Sequence, residues 1–377
     1  MTAILQNDNN ALGLVLYMAI ELSNKTWRLG FSNGKKARQI TLEAGDLGAL
    51  EEQITLAKEK LKLAPGCAVK SCYEAGRDGF WIHRHLVGQG IDNIVIDSAS
   101  IEVNRRQRRA KTDSVDVQSL LRLLIRYSGG EKKVMSIVHV PSVEEEDQRR
   151  LHRERERLVK ERGAHRARIK SLLIAHGIRL EIGSDFPDQL TALKSAGGYD
   201  LGDELKAELR REYQRYQLVA DQIKALEKTQ QQRVEQAPDG ALQQIRQLMH
   251  LKGVGWQSSW ILTMEFFSWR HFRNQRELGA CAGLTPTPYA SGASEREQGI
   301  SKAGNKRVRS LMVELSWLWL QYQPTSQLSR WYQQRYATGG KRMRRIGIVA
   351  MARKLLIALW RYLRDGVIPE GAVLKAV

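Results

Sequence analysis

The order of strand-like and helix-like segments in the first 130 residues most constrains the fold of this chain. Three runs rich in apolar and β-branched residues, separated by turn residues, predict three consecutive strands over 14–22, 26–31 and 37–42. Helical patterns over 46–61 and 78–87 then alternate with strand patterns over 68–73 and 94–96. Consecutive strands followed by alternating helix and strand predict a mixed α/β sheet.

This order resembles the ribonuclease H fold, in which acids at strand ends and on one helix converge across the sheet. The matching acids here are Glu21, Glu74 and the pair Asp113 and Asp116. Carboxylates gathered in this way repel one another unless a cation joins them. Two Mg²⁺ ions would fit such a site and would also hold a phosphodiester. Asp97 is a fifth candidate of lower rank, because the serine that follows it favours a turn.

Asp113 and Asp116 open an apolar helical pattern over 117–124 and follow a run of bases. Carboxylates three residues apart lie on one face of a helix, and the positive end of the helix dipole favours anions there. An alternative interpretation is that Thr112 or Asp113 is an N-cap and Asp116 is a solvated acid of the first turn. Both interpretations remain open at this point.

The charge of the chain indicates a polyanionic partner. The net charge is +19, the isoelectric point is near 9.9, and 60 Lys and Arg residues are spread through every region. Nucleic acid is the most common partner of such proteins. A membrane is not expected, since there is no long apolar span and no lipidation signal. The cysteines Cys67, Cys72 and Cys281 lack metal-site spacing and fit a reducing cytoplasm.

A highly charged region follows the α/β pattern. Apolar residues recur at helical spacing over 144–173 and again over 201–234, with a Gly-rich stretch between them. This pattern predicts an antiparallel helical hairpin, with a coiled coil that also joins subunits as the expected form. His165 falls on the apolar stripe, where a tolerated interface residue is a better interpretation than a ligand.

The turn Leu251-Lys252-Gly253-Val254-Gly255 lies between two helical patterns, as in a helix-hairpin-helix unit. The exposed amides of such a turn can bind a nucleic-acid phosphate. An ordinary helix–helix turn with Gly as the C-cap explains the pattern equally well.

Ser291 lies in the most unusual segment, an irregular loop over 282–292 in which prolines and glycines restrict the backbone. A basic cluster follows it, so a serine hydroxyl there could attack phosphorus while the bases stabilise the developing charge. No histidine is near enough in sequence to act as its base, the nearest being His271. The alternative is that Ser291 is an ordinary turn residue.

The C-terminal region reads as two helices. Residues 308–320 are apolar, and we expect Trp317 and Trp319 to be core residues rather than base-stacking platforms. Residues 341–364 carry eight Lys and Arg residues and no acid, interleaved with apolar residues. That pattern predicts a helix packed on the core with a side that faces phosphates.

Taken together, these segments resemble the DEDD-type insertion-sequence transposases, also called bridge-RNA-guided recombinases. The resemblance extends over nearly the whole chain in the order of that family. It is carried by Ala19-Ile20-Glu21-Leu22-Ser23-Asn24-Lys25-Thr26-Trp27, Tyr73-Glu74-Ala75-Gly76, Lys111-Thr112-Asp113 with Asp116, Gly253-Val254-Gly255, Gly283-Leu284-Thr285-Pro286, Ser291-Gly292, and Gly299-Ile300-Ser301-Lys302-Ala303-Gly304-Asn305.

The resemblance implies three domains: a RuvC-like domain over 1–140, a coiled-coil linker for dimerisation over 141–237, and a mainly α-helical transposase domain over 238–377. It implies that Glu21, Glu74, Asp113 and Asp116 hold Mg²⁺ and that Ser291 forms a phosphoserine link to DNA. Strand exchange would then pass through a four-way junction, with sites chosen by a non-coding guide RNA that pairs with target and donor DNA. Homodimers would pair into homotetramers, in which the serine of one subunit completes the acidic site of another.

The basic and turn residues are the expected nucleic-acid contacts, in a bacterial cytoplasmic protein associated with the nucleoid. They are Arg105, Arg106, Arg108, Arg109, Lys111, Lys252, Gly253, Gly255, Lys302, Asn305, Lys306, Arg307, Arg309, Lys341, Arg342, Arg344 and Arg345.

Glu21 departs from the family, which usually has Asp at this position, and its longer side chain requires the metal or the backbone to adjust. Two other functions remain open. The first is a RuvC-like junction nuclease that cuts by water attack and needs no serine. The second is an inactive nucleic-acid scaffold or repressor of its own element, for which Glu21 would mark a dead site.

Overall fold

The computed structural model describes residues 15–101, 113–236, 240–291 and 294–375. The chain divides into two compact units, Met1–Val140 and Pro141–Val377. Arg105, Arg106, Arg108, Arg109, Lys111 and Thr112 lie outside the described residues, as does Gly292.

The first unit is built on a five-stranded mixed sheet. Its strands are β1 Val15–Leu22, β2 Thr26–Ser32, β3 Ala37–Glu43, β4 Ala68–Glu74 and β5 Asp92–Ile96. They lie in the order β3-β2-β1-β4-β5; the first three are antiparallel neighbours, and β4 and β5 run parallel to β1. The helices are α1 Leu47–Lys60, α2 Trp81–Gly88 and α3 Asp113–Ser128. The prediction of a mixed α/β sheet is confirmed.

Successive side chains of β1 enter two different cores, because side chains alternate between the faces of a strand. Leu16, Met18 and Ile20 pack with residues of α1 and α2 on one face. Tyr17 and Ala19 pack under α3 on the other face. Both faces of the sheet are therefore covered, and the α3 face is the one that positions the acids discussed below.

The second unit is mainly helical. Its first helices are α4 Val143–Gln148, α5 Arg150–Ile174, α6 Phe186–Ala192, α7 Asp203–Gln236, α8 Ala241–Met249 and α9 Trp256–Leu262. A π-helical turn, Thr263–Phe267, continues α9. The remaining helices are α10 Gln275–Cys281, α11 Lys306–Tyr322, α12 Gln327–Tyr332 and α13 Lys341–Asp365. No helix among the described residues has an apolar stretch long enough to cross a membrane.

Helices α5 and α7 form an antiparallel hairpin. Leu158, early in α5, packs against Ile223, late in α7. Ile169, late in α5, packs in one cluster with Tyr213, early in α7. The predicted first helix is interrupted, since Arg149 separates α4 from α5 and α4 has its own capping box at Ser142. A coiled-coil geometry and a role in joining subunits stay predictions.

The hairpin contains a buried ionic cluster around Glu212 of α7. Its carboxylate accepts hydrogen bonds from Arg168 and Arg215 and lies 2.8 Å from Nδ1 of His165. Burial raises the pKa of Glu212, but the hydrogen bonds from these cationic groups outweigh it and lower the pKa below its ordinary value. His165 thus lies in the helix–helix interface, where it contacts a carboxylate.

The expectation of an irregular loop over 282–292 is wrong for residues 286–291. Residues Pro286–Ser291 form strand β6, which pairs antiparallel with β7, Ser294–Ile300. A ribbon of two strands has two open edges, so Pro286 and Pro288 can occupy β6 without removing a bond from a larger sheet. The register is irregular between these two prolines, and the ladder is regular from Pro288 to Ser291.

Helices α11 and α13 form most of the core of the second unit, with Met312, Leu315, Met351 and Leu355 buried between them. The prediction for the tryptophans of α11 is correct for Trp319, which is buried, and wrong for Trp317, which is 47% exposed. The two tryptophans are two positions apart, which is about 200° around a helix, so they cannot share one face.

Candidate functional site: an acidic sheet edge and a serine hairpin

Glu21 and Glu74 are placed side by side by the parallel pairing of β1 and β4. Ile20 is paired with Tyr73, so the two acids that follow are neighbours on adjacent strands. Residues two apart on a strand share a face, so Glu21 lies on the face of Ala19 and Glu74 on the face of Cys72. Ala19 and Cys72 pack under α3. The two carboxylates therefore lie at one edge of the sheet, on the α3 side.

The start of α3 lies close to the same edge. A Cβ atom at Gly30 of β2 would be 3.2 Å from Cγ1 of Val117, so the missing side chain lets α3 approach the sheet. Gly30 pairs with Ala19, two residues before Glu21. Asp113 is the first residue of α3, one turn before Val117, and Asp116 is half-buried. Asp113 and Asp116 thus lie in the first turn of the helix that covers this face of the sheet, and their convergence with Glu21 and Glu74 stays a prediction.

An open cleft of about 780 Å³ lies at this edge and is lined by both Glu21 and Glu74. Lys25 and Arg77 also line it, which places positive charge beside the two acids. Its volume suits a nucleotide-sized group. Among the side chains that the structure describes, no three His, Cys, Asp or Glu are grouped closely enough to hold a metal ion. The side chain of Asp113 is not among them.

Asp97 lies at the same end of the sheet as Glu74, because it directly follows Ile96, which is paired with Glu74. It follows β5 and is succeeded by a 3₁₀ turn, Ser98–Ser100, in which Ser100 Oγ donates to the Asp97 carbonyl oxygen. Ser98 Oγ donates to the carbonyl oxygen of Ala75. The serines that follow Asp97 therefore build a turn, as their sequence indicated.

Strands β6 and β7 form a β-hairpin, here called the serine hairpin. Ser291 ends β6 and is paired with Ser294 at the tip of this hairpin. The hairpin is attached to the helical body at the opposite end, where Pro286 is paired with Ile300. A strand rises about 3.3 Å per residue. Six residues of β6 therefore separate the attached end from Ser291 by roughly 17 Å, so Ser291 lies at the end of the ribbon that is farther from the helical body along the chain.

The base of the hairpin is held where two chain segments cross at glycines. A Cβ atom at Gly283 would be 2.0 Å from the Ala303 carbonyl oxygen, and one at Gly304 would be 2.2 Å from the Cys281 carbonyl oxygen. Both glycines have positive φ, at 67° and 93°. The Lys302 amide donates to the Gly283 carbonyl oxygen at 3.2 Å. Only glycine allows the backbones to approach this closely.

Asn305 lies directly after this crossing and caps α11. Its side-chain oxygen accepts from the backbone amides of Arg307 and Val308, and its backbone amide donates to the Cys281 carbonyl oxygen at 2.8 Å. Its Nδ2 donates to Oε2 of Glu265 at 3.4 Å. Asn305 is thus a structural residue at the hairpin base, in addition to being a predicted nucleic-acid contact.

Glu265 was not identified from the sequence. It is 1% exposed and lies in the π-helical turn. Arg153 of α5 donates to both of its oxygens, at 2.6 and 2.9 Å, and His152 Nε2 lies 2.8 Å from Oε1. Burial raises the pKa of Glu265, but the hydrogen bonds from His152 and Arg153 outweigh it and hold the pKa well below its usual value.

This lowered pKa has a predicted consequence for acid stability. Ionised Glu265 stabilises the folded chain at neutral pH, and this contribution is lost as the pH falls below the ordinary value of 4.5. We expect Glu265→Gln to lower the free energy of unfolding at pH 7 by roughly 1.5–3 kcal/mol. The variant should also lose less further stability than the wild type between about pH 5 and 3.

Urea unfolding followed by circular dichroism over a pH series measures both effects. Glu208→Gln, at an exposed position of α7, is the control and should follow the wild-type curve. Parallel pH curves for Glu265→Gln and the wild type would contradict the assignment.

The turn between α8 and α9 is packed against its own chain. The Lys252 amide donates to the Val373 carbonyl oxygen, and the Val254 amide donates to that of Leu251. A Cβ atom at Gly253, which has φ of 87°, would be 3.0 Å from Cβ of Tyr322. This geometry favours the ordinary helix–helix turn over a phosphate-gripping one. Contact of nucleic acid with the Lys252 side chain, Gly253 and Gly255 stays a prediction.

Most of the predicted basic contacts that the structure describes are exposed. Those exposed at the hairpin base and at the start of α13 are Lys302, Lys306, Arg307, Lys341, Arg342, Arg344 and Arg345. Arg309 is half-buried because its guanidinium donates to the Ala282 carbonyl oxygen. Arg307 is paired with Glu156 at 2.6 Å. The interior of α13 is apolar, as its sequence predicts.

Comparison with known proteins identifies the family. The model described as the transposase IS116/IS110/IS902 family matches residues 245–333, which include the hairpin and its base. The chain is 40% identical over 375 residues to the predicted transposase y4rJ of Sinorhizobium fredii, covering 96% of this chain and 94% of that protein.

Two transposases of named insertion sequences are more distant. The one for IS1328 of Yersinia enterocolitica is 27% identical over 231 residues, covering 59% of this chain and 63% of that protein. The one for IS1111A of Coxiella burnetii is 27% identical over 261 residues, covering 67% of this chain and 65% of that protein. With a relative of 40% identity matched over nearly its full length, the chain belongs to the IS110/IS116/IS902 family of insertion-sequence transposases.

Proposed function

We propose that this transposase is an RNA-guided, site-specific DNA recombinase in which Ser291 attacks a phosphodiester and forms a phosphoserine link. The observation that carries the proposal is the β-hairpin, in which Ser291 is paired with Ser294 at the tip. In this reaction a bond between Ser291 Oγ and phosphorus replaces the bond between phosphorus and one deoxyribose oxygen; the serine loses its proton, and the deoxyribose oxygen gains one and leaves as a free hydroxyl. The energy of the ester is kept in the link, so the strand can be rejoined to a new partner.

The acidic sheet edge supplies the second half of the proposed site. Glu21 and Glu74 follow paired residues on adjacent strands, and Asp113 and Asp116 belong to the first turn of α3. Carboxylate oxygens are the ligands that Mg²⁺ prefers, and adjacent carboxylates favour a bound cation. We propose that these four acids hold Mg²⁺, which would neutralise charge on the attacked phosphodiester. The serine and the acids would come from different subunits of a tetramer.

A guide RNA would choose the DNA sites by base pairing. The net charge of +19 and the exposed bases of the hairpin base and α13 support binding to more than one nucleic-acid strand. When base pairing reads the sequence, the protein contacts mainly the backbone and shape of the nucleic acid. Exposed Lys and Arg side chains suit that role.

The proposed acids are tested by cleavage of labelled target DNA with Mg²⁺ and the RNA of the element. We expect Glu74→Gln and Asp113→Asn each to reduce the protein-linked product by roughly 100-fold or more, because each loses a charged metal ligand. Glu21→Asp should stay within about tenfold of the wild type, whereas Glu21→Gln should behave as Glu74→Gln does.

Asp92→Asn is the matched control, since Asp92 is exposed at the start of β5, at the opposite end of that strand from the candidate site. Full activity of Glu74→Gln would remove the acidic edge from the reaction. If Glu21→Asp and Glu21→Gln were equally active, Glu21 would not be a metal ligand.

A further inference from the structure

Glu265 is a buried charged residue at a position where an apolar residue would have a smaller desolvation free energy. All five residues of its π-helical turn are buried, and a carboxylate among them is tolerated because it is paired. Buried ion pairs seldom stabilise a fold more than well-packed apolar residues would. A π-turn also inserts an extra residue into a helix and is frequent at functional sites. These features point to a role of Glu265 beyond stability.

The partners of Glu265 come from two separate segments of the second unit. His152 and Arg153 belong to the first turn of α5. Helix α5 forms an antiparallel hairpin with α7, here called the linker hairpin. Asn305 lies at the base of the serine hairpin. The carboxylate thus joins the linker hairpin to the segment that leaves β7. A second and more exposed pair, Arg307 with Glu156, connects the same two helices, α11 and α5.

The connection reaches the serine hairpin through the glycine crossing. Asn305 follows Gly304 directly, and its amide is bonded to the Cys281 carbonyl oxygen that Gly304 also approaches. The chain from Gly304 back to Ile300 enters β7, which is paired with β6 up to Ser291. A shift of Asn305 relative to Glu265 would therefore tilt the ribbon, and a small tilt at the base is enlarged at its tip.

We propose that Glu265 is a positioning residue for Ser291, fixing the base of the serine hairpin against helix α5 of the linker hairpin. The proposal rests on the function proposed above for Ser291. It gives the linker hairpin a direct effect on the reacting serine, because movement of α5 is passed to Asn305 through one carboxylate. Nδ1 of His152 is buried without a hydrogen-bond partner, so the contact of Nε2 with Glu265 is the hydrogen bond that holds this imidazole.

Glu265→Gln separates positioning from stability when it is compared with Glu212→Gln. Glu212 is a second buried carboxylate with a histidine and two arginine partners, in the same linker hairpin but without contact to Asn305. We expect both variants to have a lower Tm than the wild type. Glu265→Gln alone should reduce the single-turnover rate of covalent linkage about tenfold or more, with the Kd for DNA changed less than twofold.

Hydrogen exchange tests the same inference without any reaction. In Asn305→Ser the N-cap is kept, because serine caps a helix about as well as asparagine, but the bond to Glu265 is lost. We expect faster exchange in peptides from 283–300 of Asn305→Ser and Glu265→Gln, with peptides of α13 unchanged. Glu212→Gln should leave 283–300 as in the wild type.

Three results would overturn the inference. They are unchanged exchange over 283–300 in both variants, faster exchange throughout the second unit, and an equal loss of linkage rate in Glu212→Gln. A wild-type protein that forms no covalent product would refute the proposed function instead. The exchange data would then still decide whether Glu265 holds the hairpin base.

Discussion

Ser291→Ala should lose the protein-linked DNA product while still binding DNA and guide RNA. The hydroxyl is the proposed nucleophile, and alanine has no atom that can bond to phosphorus. Removing a nucleophile usually lowers turnover by several orders of magnitude, so we expect a decrease of at least roughly 1,000-fold. Denaturing electrophoresis of labelled DNA after incubation with Mg²⁺ and the RNA of the element measures the linked band directly.

Ser294→Ala is the matched control, because Ser294 is the partner of Ser291 across the hairpin. It should keep the linked product at a level near that of the wild type. Free cut DNA that persists in Ser291→Ala would favour a RuvC-like nuclease that uses water. A linked band that persists in Ser291→Ala would assign the nucleophile to another residue. If the wild type made no product with its cognate RNA, the scaffold or repressor function would be favoured.

Gly304→Ala should destabilise the base of the serine hairpin. The new Cβ would be 2.2 Å from the Cys281 carbonyl oxygen, far inside van der Waals contact, and φ is 93°. Gly283→Ala meets the same obstacle, at 2.0 Å from the Ala303 carbonyl oxygen. We expect each to cost roughly 2–4 kcal/mol of local or global stability, combining backbone strain and overpacking.

Gly299→Ala separates the two contributions. Gly299 also has positive φ, at 94°, but no atom lies within 4 Å of the added Cβ. It should cost only about 1 kcal/mol, the strain of the backbone alone. Thermal unfolding and hydrogen exchange over 283–300 measure the difference. Equal effects of Gly299→Ala and Gly304→Ala would show that close approach of the two segments is not what requires glycine.

The α/β sheet could be predicted because its signals are local. Short apolar strands between clear turn residues gave all five strands of the sheet to within two or three residues. The same pattern placed Glu21 and Glu74 at the ends of β1 and β4, where parallel pairing makes them neighbours. Gly30 had no such signal, since its importance arises only from the approach of α3 across the sheet.

There is a physical reason why the serine hairpin could not be predicted from the sequence. Pro286 and Pro288 usually exclude a strand, and they are tolerated here because a two-stranded ribbon leaves its outer edges unpaired. Glu265 was missed because its sequence surroundings are apolar and its partners lie about 40 and 112 residues away. Trp317 was misassigned because apolar residues occur all round α11, so that spacing alone could not choose the buried face.

The prolines of β6 also disfavour aggregation through the edges of the ribbon. A two-stranded ribbon offers backbone donors and acceptors along both edges, and such edges tend to recruit strands from other molecules into aggregates. Pro286 and Pro288 have no amide hydrogen to offer an incoming strand. The neighbouring strand carries the charges Glu295, Arg296 and Glu297, which disfavour stacking of identical ribbons. The composition of the two strands therefore disfavours aggregation through the edges of the ribbon.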